Sequence, residues 1–175
     1  MIVLYKGRRG CGKTLTMVKV GLLYYLKGYR VLRNFECSFG ENISDEEILN
    51  LNKNSNIFNC ILMMDEVQIF FDARRSMRNQ NLNFSNFIQQ VRKRNIILLG
   101  TTQFANTVDL RFRQHTDIVA YPNFIKSLDV CEVVYVDMTS IEDILIQGIK
   151  EPQHIKMVYD AKPVYKLYKT EEMIV

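Results

Sequence analysis

Near the amino terminus, Gly7-Arg8-Arg9-Gly10-Cys11-Gly12-Lys13-Thr14 satisfies G-x-x-x-x-G-K-[ST] at every fixed position. Each residue type in that pattern has a task. Glycines let the chain turn tightly and bring backbone N–H groups up to phosphate oxygens. A helix opening near Lys13 points the positive end of its dipole at the same anion. Lys13 is placed to reach the β- and γ-phosphates of a nucleotide, and the Thr14 hydroxyl to coordinate Mg²⁺. The residues expected to hold ATP are Gly7, Gly10, Cys11, Gly12, Lys13, Thr14 and Leu15. Arg8 and Arg9 read equally well as solvated loop charges.

A second cluster of chemistry lies downstream. Cys60-Ile61-Leu62-Met63-Met64 is apolar throughout, as a buried parallel strand requires, and it runs into Asp65-Glu66. Open α/β sheets gather their ligands at the carboxyl ends of strands. Asp65 is expected to serve the metal together with Thr14, directly or through water. Glu66, one residue on, is placed to polarise the attacking water. The plainer alternative is an acidic strand end facing solvent. Another apolar run, Ile96–Leu99, leads into Gly100-Thr101-Thr102-Gln103. Gln103 can sense the γ-phosphate or orient water there; otherwise it simply starts a polar loop.

These groups need a scaffold to bring them together. The chain has 175 residues, enough for one ordinary domain with a real core. Hydrophobic residues make up 47% and charged residues 24%, which excludes a disordered tail, a collagen and an obligate coiled coil. One domain over 1–175 is expected, with a core at about 1–121 and C-terminal strands and a tail over 122–175. The net charge of +4 permits a nucleic-acid partner without demanding one. Cys11, Cys37, Cys60 and Cys131 form no C-x-x-C, so reduced thiols are expected rather than a zinc site or disulfide framework. No stretch approaches the ~18 apolar residues of a membrane span. The apolar run Ile2–Tyr5 is too short for a signal peptide, and a soluble intracellular protein is expected.

The apolar periods switch repeatedly between strand and helix. Ile2–Tyr5 and Arg30–Arg33 read as strands on either side of a helix over Lys13–Lys27 that Gly28 stops. Ser44 and Glu47 form a capping box for a short helix through Leu51. Phe84, Phe87, Ile88 and Val91 lie at i, i+3, i+4 and i+7, one apolar face of a helix that ends in Arg92-Lys93-Arg94. Further strands are expected at Ile118–Tyr121, Val130–Val136 and Val164–Tyr168. Strand and helix alternating in this way predict an α/β fold, a mostly parallel central sheet covered on both faces in three layers.

The three strand ends, taken in order, resemble the additional-strand P-loop ATPases, RecA- and FtsK-like in architecture. The run V-R-K-R-N-I-I-L-L-G-T-T-Q, Val91 to Gln103, narrows the resemblance. An arginine at a helix end, then an apolar strand, then T-Q, looks like the FtsK/HerA superfamily of nucleic-acid translocating motors. Asp65 to Arg113 looks most like two branches, the viral genome-packaging ATPases and the Zot-like assembly ATPases of filamentous phages. The resemblance covers about residues 1–121. It implies a Mg²⁺-dependent ATPase working as a homo-oligomer, usually a hexameric ring, in which a neighbour's arginine completes each site. Arg92 matches the helix-end arginine and is the expected catalytic finger, with Arg94, Arg111 and Arg113 as alternatives. A cation favoured by the helix dipole is the plainer reading of Arg92. Zot-like proteins usually carry a membrane span, so the packaging branch is favoured. The phosphate loop begins at residue 7, so a minimal motor without an N-terminal domain is expected.

Such a motor must hold its track. Arg74, Arg75 and Arg78 follow the acids closely and are the expected contacts to the backbone of double-stranded DNA, in a sequence-independent and salt-sensitive way. An ordinary solvated loop is the alternative, and the lysine-rich tail is a second candidate. The function expected is ATP-driven translocation of viral DNA into a capsid. It would take place in the host cytoplasm or transiently at a capsid vertex, with capsid or assembly proteins as further partners. Three rivals share parts of the pattern: a Zot-like ATPase powering phage assembly or extrusion, a small-molecule kinase, and a scaffold that binds ATP and barely hydrolyses it. A kinase would need neither Glu66 beside Asp65 nor T-T-Q on the next strand.

Overall fold

The computed structural model describes residues 1–51, 56–70, 80–103, 108, 110–138 and 154–169. Its strands are β1 (Ile2–Lys6), β2 (Arg30–Arg33), β3 (Glu41–Asn42), β4 (Cys60–Met64), β5 (Ile97–Thr102), β6 (Ile118–Ile125), β7 (Val130–Asp137) and β8 (His154–Asp160). They form one sheet ordered β3-β2-β4-β5-β1-β6-β7-β8. Every pairing from β3 across to β6 is parallel, and β6-β7 and β7-β8 are antiparallel. The described helices are α1 (Lys13–Leu26), α2 (Asp45–Leu49), α3 (Gln80–Lys93), α4 (Leu110–Gln114) and α5 (Lys162–Tyr165).

The apolar strands are buried on both faces, and their period of two divides the core. Ile2, Leu4, Leu62, Met64 and Leu98 pack with Ile48, Phe87, Val91 and Phe112, on the side of α2, α3 and α4. Val3, Tyr5, Ile61, Met63 and Leu99 pack with Leu15, Met17, Val18 and Val164, on the side of α1 and α5. The result is the expected α/β sandwich of three layers. β5 lies between β1 and β4. The added strand therefore brings its carboxyl end between the ends that carry the phosphate loop and the two acids.

Local signals explain most boundaries. The Gly28 N–H bonds the Tyr25 carbonyl at 2.9 Å and the Tyr29 N–H bonds the Tyr24 carbonyl at 3.1 Å, closing α1 with a left-handed Gly28 at φ 85°. The Ser44–Glu47 capping box is formed in both directions, though α2 stops at Leu49 rather than Leu51. No described helix is long and apolar enough to cross a membrane.

The expected strand at Val164–Tyr168 is corrected. Residues Lys162–Tyr165 are a helical turn with Pro163 early in it, where a fixed φ and a missing N–H cost nothing. Only Tyr168 makes a strand contact, an isolated bridge to Cys37. β6 continues past Tyr121 through Pro122. The last β1 partner of β6 is Ala120, so the proline breaks no ladder on that side. β8 was not expected. It is an exposed edge strand whose polar and apolar residues follow no single buried face. The basic loop carrying Arg74, Arg75 and Arg78 lies outside the described residues.

Candidate nucleotide site

β1 ends at Lys6 and the phosphate loop runs directly into α1. Gly12 caps the helix at φ 93° and ψ 21°, a left-handed conformation. A Cβ there would lie 3.1 Å from Cys131 Sγ and 3.2 Å from Phe124 Cβ, so the position requires glycine on two grounds. Three carbonyls of the loop are held by the scaffold. Lys13 Nζ donates to Arg8 O at 3.1 Å. The Phe124 N–H donates to Cys11 O at 3.0 Å, and the Thr16 N–H to Gly12 O at 2.9 Å. A trans peptide points its N–H away from its C=O. Anchoring the Cys11 and Gly12 carbonyls therefore turns the next N–H groups, those of Gly12 and Lys13, the other way, where a phosphate can accept them. Lys13 is buried, at 7% exposure, and an anion over the loop would complete the pairing of its ammonium. Leu15 is buried in the α1-side core, so its backbone alone is available to a ligand. Burial pushes the half-buried Cys11 thiol up, which keeps it neutral.

The acids are brought to the same place. Thr14 Oγ1 donates to Asp65 Oδ1 at 3.1 Å. Thr101 Oγ1 donates to the same oxygen at 2.6 Å, and the Asp65 N–H donates to Asn34 Oδ1 at 2.9 Å. Burial pushes the Asp65 carboxyl up, against the hydrogen bonds from Thr101 and Thr14 that pull it down. A hydroxyl beside a half-buried carboxylate is a hard-oxygen donor set that suits Mg²⁺. Among the described residues no group of three His, Cys, Asp or Glu could hold a metal. Mg²⁺ commonly takes one or two protein ligands and fills its shell with phosphate oxygens and waters.

Glu66 has φ 54° and ψ 58°, a left-handed backbone in a non-glycine residue. Such a conformation costs about 1–3 kcal/mol and persists only where its surroundings fix it. Here the Glu66 N–H donates to Thr101 Oγ1 at 2.9 Å. Gln103 Nε2 reaches Glu66 Oε1 at 3.3 Å, and Gln68 Nε2 donates to Glu66 Oε2. The structure thus assembles Lys13, Thr14, Asp65, Glu66 and Gln103. It adds Thr101, Asn34 and Gln68, which sequence reasoning had not placed in the site. The only advance signal was the threonine pair before Gln103.

Arg92 is elsewhere. Its Nη2 lies 3.7 Å from Asp117 Oδ1, and Asp117 Oδ2 accepts the Ile2 N–H at 2.6 Å. Ile2 opens β1, whose other end leads into the phosphate loop. At ~3.3 Å per residue that strand separates Arg92 from its own loop by roughly 16 Å. Arg94 is bound within the chain, with Nε to Gln90 Oε1 at 2.8 Å and Nη1 to Ile57 O at 3.2 Å. Arg111 and Arg113 sit on α4, and Arg113 Nε is buried without a hydrogen-bond partner among the described residues.

Residues 3–122 match the family of ATPases associated with various cellular activities (AAA). No curated protein matches this sequence. Among solved structures, the N-terminal domain of zonular occludens toxin from Neisseria meningitidis is similar at TM-score 0.65 and 17% identity, covering 96% of this chain and 98% of that one. The genome packaging NTPase B204 of Sulfolobus turreted icosahedral virus 2, in complex with ATP-gammaS, is similar at TM-score 0.54 and 14% identity over 96% of both chains. The flagellar accessory protein FlaH of Methanocaldococcus jannaschii is similar at TM-score 0.53 and 11% identity, covering 78% and 77%. A family match running from β1 into β6 takes in every strand end that carries the site, and on that ground the chain belongs to the AAA family, as an ATP-binding and ATP-hydrolysing P-loop enzyme.

Proposed function

We propose that this ATPase is a motor of the FtsK/HerA kind, one domain over residues 1–175, that drives double-stranded DNA into a viral capsid. The observation that carries the oligomeric part is the place of Arg92. It stands at the end of the sheet opposite its own phosphate loop, so a role in hydrolysis requires the site of a neighbouring subunit. A closed ring, hexameric by the resemblance, supplies that neighbour at every interface. DNA as the moved polymer is supported by the Val91–Gln103 pattern and by the fold shared with a packaging NTPase. The proposal gives Arg74, Arg75 and Arg78 the backbone contacts to DNA. Capsid or assembly proteins are its further partners, and the host cytoplasm or a capsid vertex its place of work.

In this reading the loop N–H groups and Lys13 bind and orient the phosphates. Thr14 and Asp65 would hold Mg²⁺, which neutralises charge on the phosphate oxygens. Glu66 takes the proton of the attacking water, while Gln103 and Gln68 aim its carboxylate. Gln103 lies just past β5, so loss of the γ-phosphate can be passed to that strand and to α3 before it. Arg92 of the adjacent subunit stabilises the spreading negative charge.

The test is turnover, with and without duplex DNA, joined to sizing of the assembly. Duplex-stimulated hydrolysis by a ring supports the proposal. A monomer whose turnover ignores DNA overturns it. A second reading, a Zot-like ATPase of phage assembly or extrusion, is favoured by the larger TM-score of 0.65 against 0.54. Stimulation by single-stranded DNA in preference to duplex would select it.

A further inference from the structure

One row of residues crosses the sheet beneath the phosphate loop. Phe124 of β6 is paired with Cys131 of β7, and Cys131 with Tyr159 of β8. Each of the three touches the loop or the first turn of α1. The Phe124 N–H holds Cys11 O at 3.0 Å. Cys131 Sγ lies 3.6 Å from Thr16 Oγ1. The Tyr159 hydroxyl donates to Thr16 Oγ1 at 3.0 Å, and Thr16 Oγ1 donates in turn to Gly12 O at 2.8 Å. Thr16 and Cys131 are fully buried. Burial also pushes the Tyr159 phenol up, which keeps it an O–H donor at working pH. The whole row lies beyond residues 3–122, the span of the family match.

We propose that the antiparallel β7–β8 pair positions the phosphate loop for ATP, with Tyr159 as the positioning residue acting through Thr16. A helical threonine has two favoured rotamers, one of which bonds the carbonyl four residues back. The Tyr159 donor selects that rotamer and strengthens its bond to Gly12 O. The Gly12 carbonyl is thereby fixed, and with it the plane of the Gly12–Lys13 peptide and the direction of the Lys13 N–H. The loop needs such help because it contains two left-handed glycines, Gly10 at φ 75° and Gly12 at φ 93°, whose freedom would otherwise be lost on binding. A loop held in its binding conformation avoids that cost.

The test uses the full chain, ATP as ligand, and the variants Tyr159→Phe, Thr16→Val and Thr16→Ser. Tyr159→Phe keeps the ring and removes one neutral hydrogen bond. It is expected to weaken ATP binding and raise KM by about three- to tenfold, with kcat changed less than twofold. Thr16→Val is expected to lose at least as much, and Thr16→Ser, which keeps the hydroxyl, to recover most of it. Tyr159→Phe added to Thr16→Val should cost nothing further, because the two act through one bond. A purely structural tyrosine would lower the melting temperature equally with and without ATP and leave KM alone; the proposal predicts that the ATP-induced rise in melting temperature shrinks. Unchanged ATP affinity in Tyr159→Phe overturns it, and so does an undiminished loss in the Thr16→Val background. If Thr16→Val does not fold, Tyr159→Phe alone still decides through its KM and its ATP-induced shift.

Discussion

Thr101 and Asp65 are joined by a 2.6 Å hydrogen bond, and the same threonine oxygen accepts the Glu66 N–H at 2.9 Å. One hydroxyl on β5 thus fixes the metal-side acid through its side chain and the water-side acid through its backbone. The arrangement exists because β5 is inserted between β4 and β1. The carboxyl end of β5 thus lies beside the end of β4, where both acids stand.

Thr101→Val should therefore damage chemistry more than binding. The valine fills the same space in the buried strand but leaves the Glu66 N–H and an Asp65 lone pair unmet. A buried donor left without a partner costs about 1–3 kcal/mol, read as a lowered melting temperature. Turnover should fall by a larger factor than ATP affinity, since the left-handed backbone at Glu66 loses its tether. Thr101→Ser should behave nearly as wild type. A Thr101→Val protein with wild-type kcat would show that Glu66 is positioned by its side-chain partners alone.

Glu66→Gln should leave ATP binding nearly intact and reduce turnover by roughly 10²-fold or more, the size of a lost general base. Asp65 and Thr14 keep their bond in this variant, so the metal side of the site is unaltered. Steady-state hydrolysis beside equilibrium binding of ATP checks it. Near-normal turnover would mean that another group activates the water.

Much of this site was legible in residue types, because its parts are local. The glycines, Lys13 and Thr14 lie within one turn and the start of one helix. Cys60–Met64 is apolar enough to read as a buried strand that ends on two acids. What was not legible depends on strand order. Thr101 matters because β5 lies beside β4, and Asn34 because the end of β2 lies on its other side; neither adjacency is written in either segment. β8 was not expected although Ile155, Met157 and Tyr159 alternate with His154, Lys156 and Asp160; the strand is mostly exposed, so its pattern marks no buried face. Val164–Tyr168 differs because valine, tyrosine and leucine suit a strand by residue type, whereas Pro163 just before them suits the first turn of a helix.

Lys13→Ala should abolish tight ATP binding. The ammonium lies against the loop, donating to Arg8 O at 3.1 Å, where it can meet the phosphates of a nucleotide. Binding measured with a fluorescent ATP analogue would decide, and equal affinity in the variant would sink the phosphate-loop assignment.

The Asp65 carboxyl carries a pH signature. Burial lifts it above its ordinary value of 3.8, so the folded chain binds that proton more tightly than the unfolded chain. The ionised carboxylate accordingly costs stability. The cost is absent below pH 3.8, where both states are protonated, grows as pH rises through the folded value, and is full above it. Asp65→Asn removes the charge and keeps an oxygen for Thr14 and Thr101. Its melting temperature should exceed the wild-type value at neutral pH, with the gap closing toward pH 3.8. Mg²⁺ should raise the wild-type value and leave the variant unmoved. A gap that does not vary with pH would contradict the assignment.

Arg92→Ala should impair hydrolysis without weakening nucleotide binding by a single subunit. Arg92 is about half exposed and faces Asp117 at 3.7 Å, an ion pair of small worth in water. If it only stabilises the end of α3, its loss costs roughly 0.3–1 kcal/mol and little activity. If it enters the site of a neighbour, its loss removes charge stabilisation worth about 10³-fold or more in turnover. Mixing separates the two. Arg92→Ala subunits and Lys13→Ala subunits, each inactive alone, are combined under conditions where sizing confirms a joint assembly. Some interfaces then pair an intact phosphate loop on one subunit with an intact arginine on the next, and activity should reappear in proportion to their frequency. Assembly without recovery would remove Arg92 from the role. The same experiment should then be run with Arg113, whose buried Nε has no hydrogen-bond partner among the described residues.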